Sequence, residues 1–87
     1  MLKNNPQILI YTKDYCPYCV KAKSLLKIKN AAFQEIKVTN DDILQEMIKK
    51  SLGRKTVPQI FINDQSIGGC DDLYALNDQG KLNQLLK

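Results

Sequence analysis

The sequence predicts an α/β fold in which a minimal four-stranded mixed sheet is flanked by helices. Three observations point there. Apolar runs rich in β-forming residues stand at 7–11 (QILIY), 33–38 (FQEIKV) and 59–63 (QIFIN). Stretches of helical periodicity separate them, at 17–29 and around 43–52. A polar turn, Asn63-Asp64-Gln65, then leads into a short fourth run at 66–68. The order is β-α-β-α-β-β-α. The first two strands, joined through a helix, should be parallel with a right-handed crossover, and the last two should be antiparallel.

Each element has a local reason. The first strand, 7–11, is followed by a loop at 12–15. Pro17 suits the first turn of a helix, where its missing N–H has no partner to lose. Ala22, Leu25 and Leu26 mark that helix's inward face, and Lys27 and Lys29 sit favourably near its C-terminal dipole. In the second strand Ile36 and Val38 are two apart, on one face. Asn40 and Asp41 offer N-cap oxygens. Ile43, Leu44, Met47, Ile48 and Leu52 recur at helical spacing, the clearest amphipathic signal in the chain, and Gly53 is placed to cap that helix. Asp71 and Asp72 open a third helix with charges suited to its N-terminus. Gly80 interrupts it, and Leu82, Leu85 and Leu86 form a final short helix.

The chain has 87 residues, which predicts one domain over 1–87. A domain this small buries only about 60–65% of its unfolded-chain surface, so its core is modest. Thirteen Lys plus Arg against nine Asp plus Glu give a net charge of +4. The basic residues cluster at 21–29 and 49–55 with no aromatics among them, which favours solvated helix faces over nucleic-acid binding. No apolar run approaches the roughly 18 residues of a membrane span, and the first six residues show no leader. There is no His and there are three Cys, so no four-ligand Cys or Cys/His zinc site fits within one chain, and no His-based catalysis is available.

Cys16-Pro17-Tyr18-Cys19 falls between a predicted strand and a predicted helix, the context in which a C-x-x-C pattern suggests redox chemistry. The helix N-terminus points unpaired N–H groups at Cys16 and favours negative charge there, so Cys16 is expected as the thiolate, in the range of about 3.5–7.5 for such sites. Lys13 adds positive potential. Cys19, one turn on, is expected to be buried and protonated, giving an attacking thiolate and a resolving thiol. Two other readings stay open: half of a zinc or cluster site shared across a dimer, and two small core residues. Cys70 has no cysteine near it in sequence and reads as a small buried residue, with a regulatory thiol as the alternative.

Two further segments fit a disulfide site. In Thr56-Val57-Pro58 a cis peptide before Pro58 would leave the Val57 backbone free to pair with an extended peptide beside Cys16. A trans proline opening the strand is the plainer reading. In Gly68-Gly69-Cys70-Asp71-Asp72 two glycines permit close backbone approach, and the helix N-terminus that follows can bind a carboxylate. Asp72 is placed to meet an ammonium, so a zwitterionic amino-acid end would fit. A turn with an N-capping Asp is the simpler alternative.

Taken together, YTKDYCPYC at 11–19, TVPQIFI at 56–62 and GGCDDL at 68–73 resemble the glutaredoxin family in order and separation, from about Ile8 to Leu86. The likeness is to its small bacterial dithiol type. It implies the thioredoxin fold in its minimal form and a glutathione-dependent thiol–disulfide oxidoreductase, with glutathione as co-substrate and no metal. By the resemblance, Cys16 is the nucleophile that accepts glutathione and Cys19 the resolving thiol. Tyr18 lies beside the glutathione, Thr56 and Val57 flank its cysteinyl unit, and Pro58 is the family's cis proline. Gly69, Cys70 and Asp71 form the helix start that holds the γ-glutamyl carboxylate, and Asp72 faces the amino group. Lys13 resembles the basic residue near the glycyl carboxylate, Gln45 occupies an assisting position, and Lys55 stands where a basic residue is sometimes found.

The resemblance further implies glutathionylated or disulfide-containing protein partners, ribonucleotide reductase among them. A monomer is expected because no apolar stripe stands out beyond what the core needs, and a cytoplasmic location from the missing signal and the need for reduced glutathione; the composition read above predicts neither nucleic acid nor membrane as a partner. Two rivals differ in their motifs. Thioredoxin-like reductases resemble a Cys-Gly-Pro-Cys pattern or lack the GGCDD segment. Iron–sulfur carriers, dimers with one cluster on Cys16 of each chain and two glutathiones, resemble Cys-Gly-Phe-Ser.

Overall fold

The computed structural model describes residues 6–87; residues 1–5, within the stretch read as lacking a leader, lie outside them. In chain order the elements are β1 (Ile8–Thr12), α1 (Pro17–Ile28), β2 (Gln34–Lys37), α2 (Asp41–Lys50), β3 (Gln59–Ile62), β4 (Gln65–Gly68), α3 (Cys70–Asp78) and α4 (Lys81–Leu85). The sheet order is β2-β1-β3-β4. β1 runs parallel to β2 and antiparallel to β3, and β3 is antiparallel to β4. The expected mixed sheet is therefore present.

Alternation along the two central strands divides the core. Ile8 and Ile10 of β1 and Ile60 and Ile62 of β3 pack with Ala22, Leu25, Leu26, Leu73 and Leu82 from α1, α3 and α4. Tyr11 and Phe61 face the other way, against Met47 of α2 with Ile43, Leu44 and Ile48 around it. The Tyr11 and Phe61 rings meet edge to face, with centroids 5.8 Å apart and planes at 79°. All four residues of β3 are buried, as a strand covered on both faces requires.

The boundaries differ from the sequence reading in instructive ways. Thr12, assigned to a loop, extends β1 and is buried; its hydroxyl donates to Glu35 Oε2 at 2.6 Å. That hydrogen bond lets a polar residue continue the strand. Leu52, taken as an inward position of α2, is instead 89% exposed. The helix ends at Lys50, and Leu52 has φ 62°. The Gly53 N–H donates to Ile48 O at 2.8 Å and the Leu52 N–H to Lys49 O at 3.3 Å. This is a Schellman closure with Leu52 in the left-handed position and Gly53 one residue beyond it. The β3–β4 hairpin is tighter than the three-residue turn expected. Ile62 pairs with Gln65, and both residues between them have positive φ, Asn63 at 51° and Asp64 at 66°.

The register places the site. Tyr11 near the end of β1 lies opposite Gln59 at the start of β3. The loop leaving β1, which carries Cys16, therefore runs beside the segment entering β3, which carries Val57 and Pro58.

Candidate active site

Tyr15 takes a φ of 59° and turns the chain from β1 into α1, leaving its ring in solvent. Cys16 follows as the N-cap of α1, and its Sγ accepts a hydrogen bond from the Cys19 N–H at 3.1 Å. Sulfur thus takes the place of an N-cap oxygen, where one orphan N–H and the positive end of the helix favour a thiolate. Cys16 is partly exposed and Cys19 is 1% exposed. The two are joined as a disulfide, with Cα atoms 5.2 Å apart. One sulfur faces solvent and the other lies inside, the asymmetry expected of an attacking and a resolving thiol.

Two depressions flank Cys16. One, of ≈ 300 Å³, is lined by Tyr18, Arg54, Thr56, Val57, Pro58, Gly69, Cys70, Asp71 and Asp72. At one end Val57 O lies 4.0 Å from Cys16 Sγ. The Val57–Pro58 peptide is cis. At the other end stands the N-terminus of α3, with Asp71 and Asp72 in its first turn. The Asp72 carboxylate accepts from the Gly69 N–H at 2.9 Å and pairs with Arg54 Nη2 at 3.1 Å. Gly68 has φ 110°, and a Cβ there would run into the Asp72 carboxylate and the Arg54 guanidinium, so glycine is required at this corner.

The second depression, of ≈ 510 Å³, lies on the other flank and is lined by Lys13, Asp14, Tyr15, Cys16, Cys19, Lys23, Glu35 and Lys37 among others. A larger cavity of ≈ 570 Å³ between β4, α3 and α4 contains no cysteine. Reactive sulfur, not volume, locates the site.

The structure thus gathers eight of the expected ligand-contact residues into one groove: Tyr18, Thr56, Val57, Pro58, Gly69, Cys70, Asp71 and Asp72. Lys13 lines the opposite flank, and Gln45 lines neither depression, lying on the exposed face of α2 near Asp41. Arg54, counted in the sequence only as a surface cation, enters the groove. Its position follows from the turn at Leu52 and Gly53; Gly53 was read as the helix cap, but Leu52 was read as an inward helical position and not as the left-handed residue of the turn.

Cys70 is buried, as its plainer reading held. Burial pushes its thiol up from the usual range and Asp71 adds to this, while Lys21 opposes them. Alkylation of the reduced native protein near pH 7.5 should therefore label Cys16 and spare Cys70 until the chain is unfolded. Peptide mapping by mass spectrometry checks this, and equal labelling of Cys70 in the native state would contradict it.

The Glutaredoxin family model matches residues 8–67. The chain belongs to the glutaredoxin family. Glutaredoxin 3 of Escherichia coli (strain K12) is 60% identical over 79 residues, covering 90% of this chain and 94% of that one. Glutaredoxin 1 of Rickettsia conorii is 51% identical over 82 residues, covering 92% and 80%. Among solved structures, a buckwheat glutaredoxin–glutathione complex superposes with a TM-score of 0.85 at 32% identity, over 93% of this chain and 76% of that one. The solution structure of glutaredoxin from Brucella melitensis gives 0.81 at 52% identity, over 93% and 88%. This glutaredoxin is accordingly a thiol–disulfide oxidoreductase with the thioredoxin fold, and Cys16 and Cys19 are its redox-active pair.

Proposed function

We propose that this glutaredoxin uses glutathione to reduce glutathionylated proteins and protein disulfides, binding the tripeptide in the groove between Tyr18, Val57 and the start of α3. The observation that carries the reading is the groove's layout. A backbone carbonyl stands 4.0 Å from Cys16 Sγ at one end, and a helix N-terminus beside an acidic side chain stands at the other. A γ-glutamyl end has a carboxylate for that helix N-terminus and an ammonium for the acidic side chain beside it. The buckwheat relative was solved as a glutathione complex.

In this reading the Cys16 thiolate attacks the glutathione sulfur of a mixed disulfide. The Cys16–glutathione bond forms, the protein–sulfur bond breaks, and the protein thiolate leaves with the electron pair and takes a proton. A second glutathione thiolate then attacks the glutathione sulfur on Cys16, forming glutathione disulfide and returning the Cys16 thiolate. With a protein disulfide, Cys16 forms the mixed disulfide with the protein and Cys19 displaces it, closing Cys16–Cys19. A low-pKa Cys16 helps both as attacker at neutral pH and as leaving group.

Gly69, Cys70 and Asp71 hold the γ-glutamyl carboxylate in this proposal and Asp72 the ammonium. Thr56 and Val57 flank the cysteinyl unit beside Pro58. Lys13, with Gln45 assisting, remains the proposed partner of the glycyl carboxylate. Enzymes that form a disulfide in turnover, such as ribonucleotide reductase, are the proposed protein substrates. A monomer in the cytoplasm suits that work, since reduced glutathione must be plentiful.

The test is turnover of a glutathione mixed disulfide coupled to glutathione reductase and NADPH. The wild type should turn over, and absence of turnover would overturn the reading. Asp72→Asn keeps an oxygen for the Gly69 N–H but removes the charge. It should raise KM for the glutathionylated substrate about tenfold, the size expected for one half-exposed charge-assisted contact, and leave kcat less affected. An unchanged KM would remove Asp72 from the site.

A further inference from the structure

The groove on the Tyr18 side takes the γ-glutamyl and cysteinyl parts of glutathione; on the other flank only Lys13 has been given a part, and the remaining charged groups of that depression have none. That depression contains the buried thiol of the pair. Cys19 lines it together with Lys23, which stands four residues on along α1 and hence on the same helix face. Lys23 Nζ donates to Glu35 Oε2 at 2.9 Å, and the buried Thr12 hydroxyl donates to the same oxygen at 2.6 Å. Both charged side chains are about three-quarters buried, at 25% and 26% exposure. Fixed charges in such a site are screened far less than those in open solvent.

The resolving step needs an ionised Cys19. Its proton must leave through this depression, and its sulfur must carry negative charge in a buried place. We propose that Lys23 is a positioning residue for that step: held by Glu35, which Thr12 fixes in turn, its ammonium favours the Cys19 thiolate, and the Lys23–Glu35 pair together sets the pH at which resolution begins. The inference rests on Cys19 being the resolving thiol.

The charged groups around Cys19 make the sign definite. Cys16 caps α1 and Lys23 comes from it, Lys13 and Asp14 come from the loop after β1, and Glu35 and Lys37 from β2. Tyr15 also lines the depression, with its ring in solvent. Asp14 and Lys37 pair with each other at 2.7 Å and are over half exposed, so they largely cancel and are screened. Glu35 is held below the usual carboxylate range by the Thr12 hydroxyl and then by Lys23, so it is anionic wherever Cys19 titrates. Losing Lys23's charge must make Cys19 ionise at higher pH, and losing Glu35's charge must do the reverse.

The step balances. The Cys19 thiol gives its proton to solvent. Its thiolate attacks Cys16 Sγ of the mixed disulfide and the Cys16–Cys19 bond forms. The Cys16–substrate bond breaks, and the leaving sulfur takes the electron pair and is protonated according to its own pKa. Two electrons pass from the enzyme dithiol to the substrate disulfide.

The experiment mixes reduced enzyme with a chromogenic aromatic disulfide and follows thiolate release by stopped flow from pH 5 to 9. The first equivalent reports attack by Cys16; the second reports resolution by Cys19. Lys23→Gln should slow the second phase roughly three- to tenfold at neutral pH and move its profile to higher pH, the size expected of one partly screened charge nearby. Lys23→Arg should restore it. Glu35→Gln should speed the second phase at neutral pH by about two- to threefold on the same grounds. Lys49→Gln, an exposed lysine on α2, should match the wild type. A Lys23→Gln profile that superimposes on the wild type overturns the inference. So does a slower Glu35→Gln enzyme with an unaltered thermal melt, since that would make Glu35 a proton acceptor. If the wild type shows no second phase, or Cys19→Ser keeps one, the role of Cys19 itself has failed.

Discussion

Cys16→Ser should reduce every disulfide-reducing activity of this glutaredoxin to background. Cys19→Ser should keep turnover of glutathione mixed disulfides and lose reduction of protein disulfides. The difference follows from the positions of the two sulfurs. Cys16 is partly exposed at the N-cap of α1, where the Cys19 N–H points at its sulfur, so it is the atom an incoming disulfide can reach. A serine hydroxyl there would cap the helix well but supplies no thiolate at neutral pH. Cys19 is buried, so its work is confined to a disulfide already formed on Cys16. The glutathione reductase-coupled assay, run with a glutathione mixed disulfide and with a protein disulfide, checks both variants. A Cys19→Ser enzyme that fails on the glutathione substrate would make the dithiol route obligatory.

Phe61→Ala should lower stability by about 3–5 kcal/mol, the range for removing a buried aromatic and leaving a cavity. A domain this size has only about 5–15 kcal/mol in all. Phe61 is 2% exposed, meets the Tyr11 ring edge to face and lies under Lys50, whose Nζ is 5.4 Å from the ring centroid. It closes the smaller of the two core clusters, where Met47 of α2 is the other fully buried partner. The loss reaches function because Val57 packs on the same cluster and β3 begins directly after Pro58. Urea denaturation should show a lower midpoint with an unchanged slope, and a loss below about 1 kcal/mol would contradict this account of the α2 layer.

Much of this was legible in the chain because local rules and tertiary structure agree. Proline after Cys16 and the 43–48 periodicity each have one low-energy outcome, and the fold uses it. Where they part, a long-range partner decides. Thr12 continues β1 because Glu35 on the neighbouring strand accepts its hydroxyl, a contact 23 residues distant in sequence. Leu52 fits the helical period but is turned outward by the Schellman closure that ends α2. The same closure brings Arg54 to Asp72, which is why the sequence read Asp72 as free to meet an ammonium and missed its present partner. Gln45 was named on resemblance alone, and so was Lys13 as a glutathione contact, although its positive potential beside Cys16 was read from the residues. Neither lies in the groove, because side-chain direction on a loop and on an outer helix face is not written in motif spacing.

The central claim is that glutathione on Cys16 lies in the groove toward α3. The most direct measurement is a comparison of amide chemical shifts by NMR between reduced Cys19→Ser protein and the same protein glutathionylated at Cys16. The account predicts that the largest changes outside the Cys16 loop fall at Tyr18, Val57, Gly69, Cys70, Asp71 and Asp72. Changes centred instead on Lys23, Glu35 and Lys37, with the α3 N-terminus unmoved, would place glutathione on the opposite flank and contradict it.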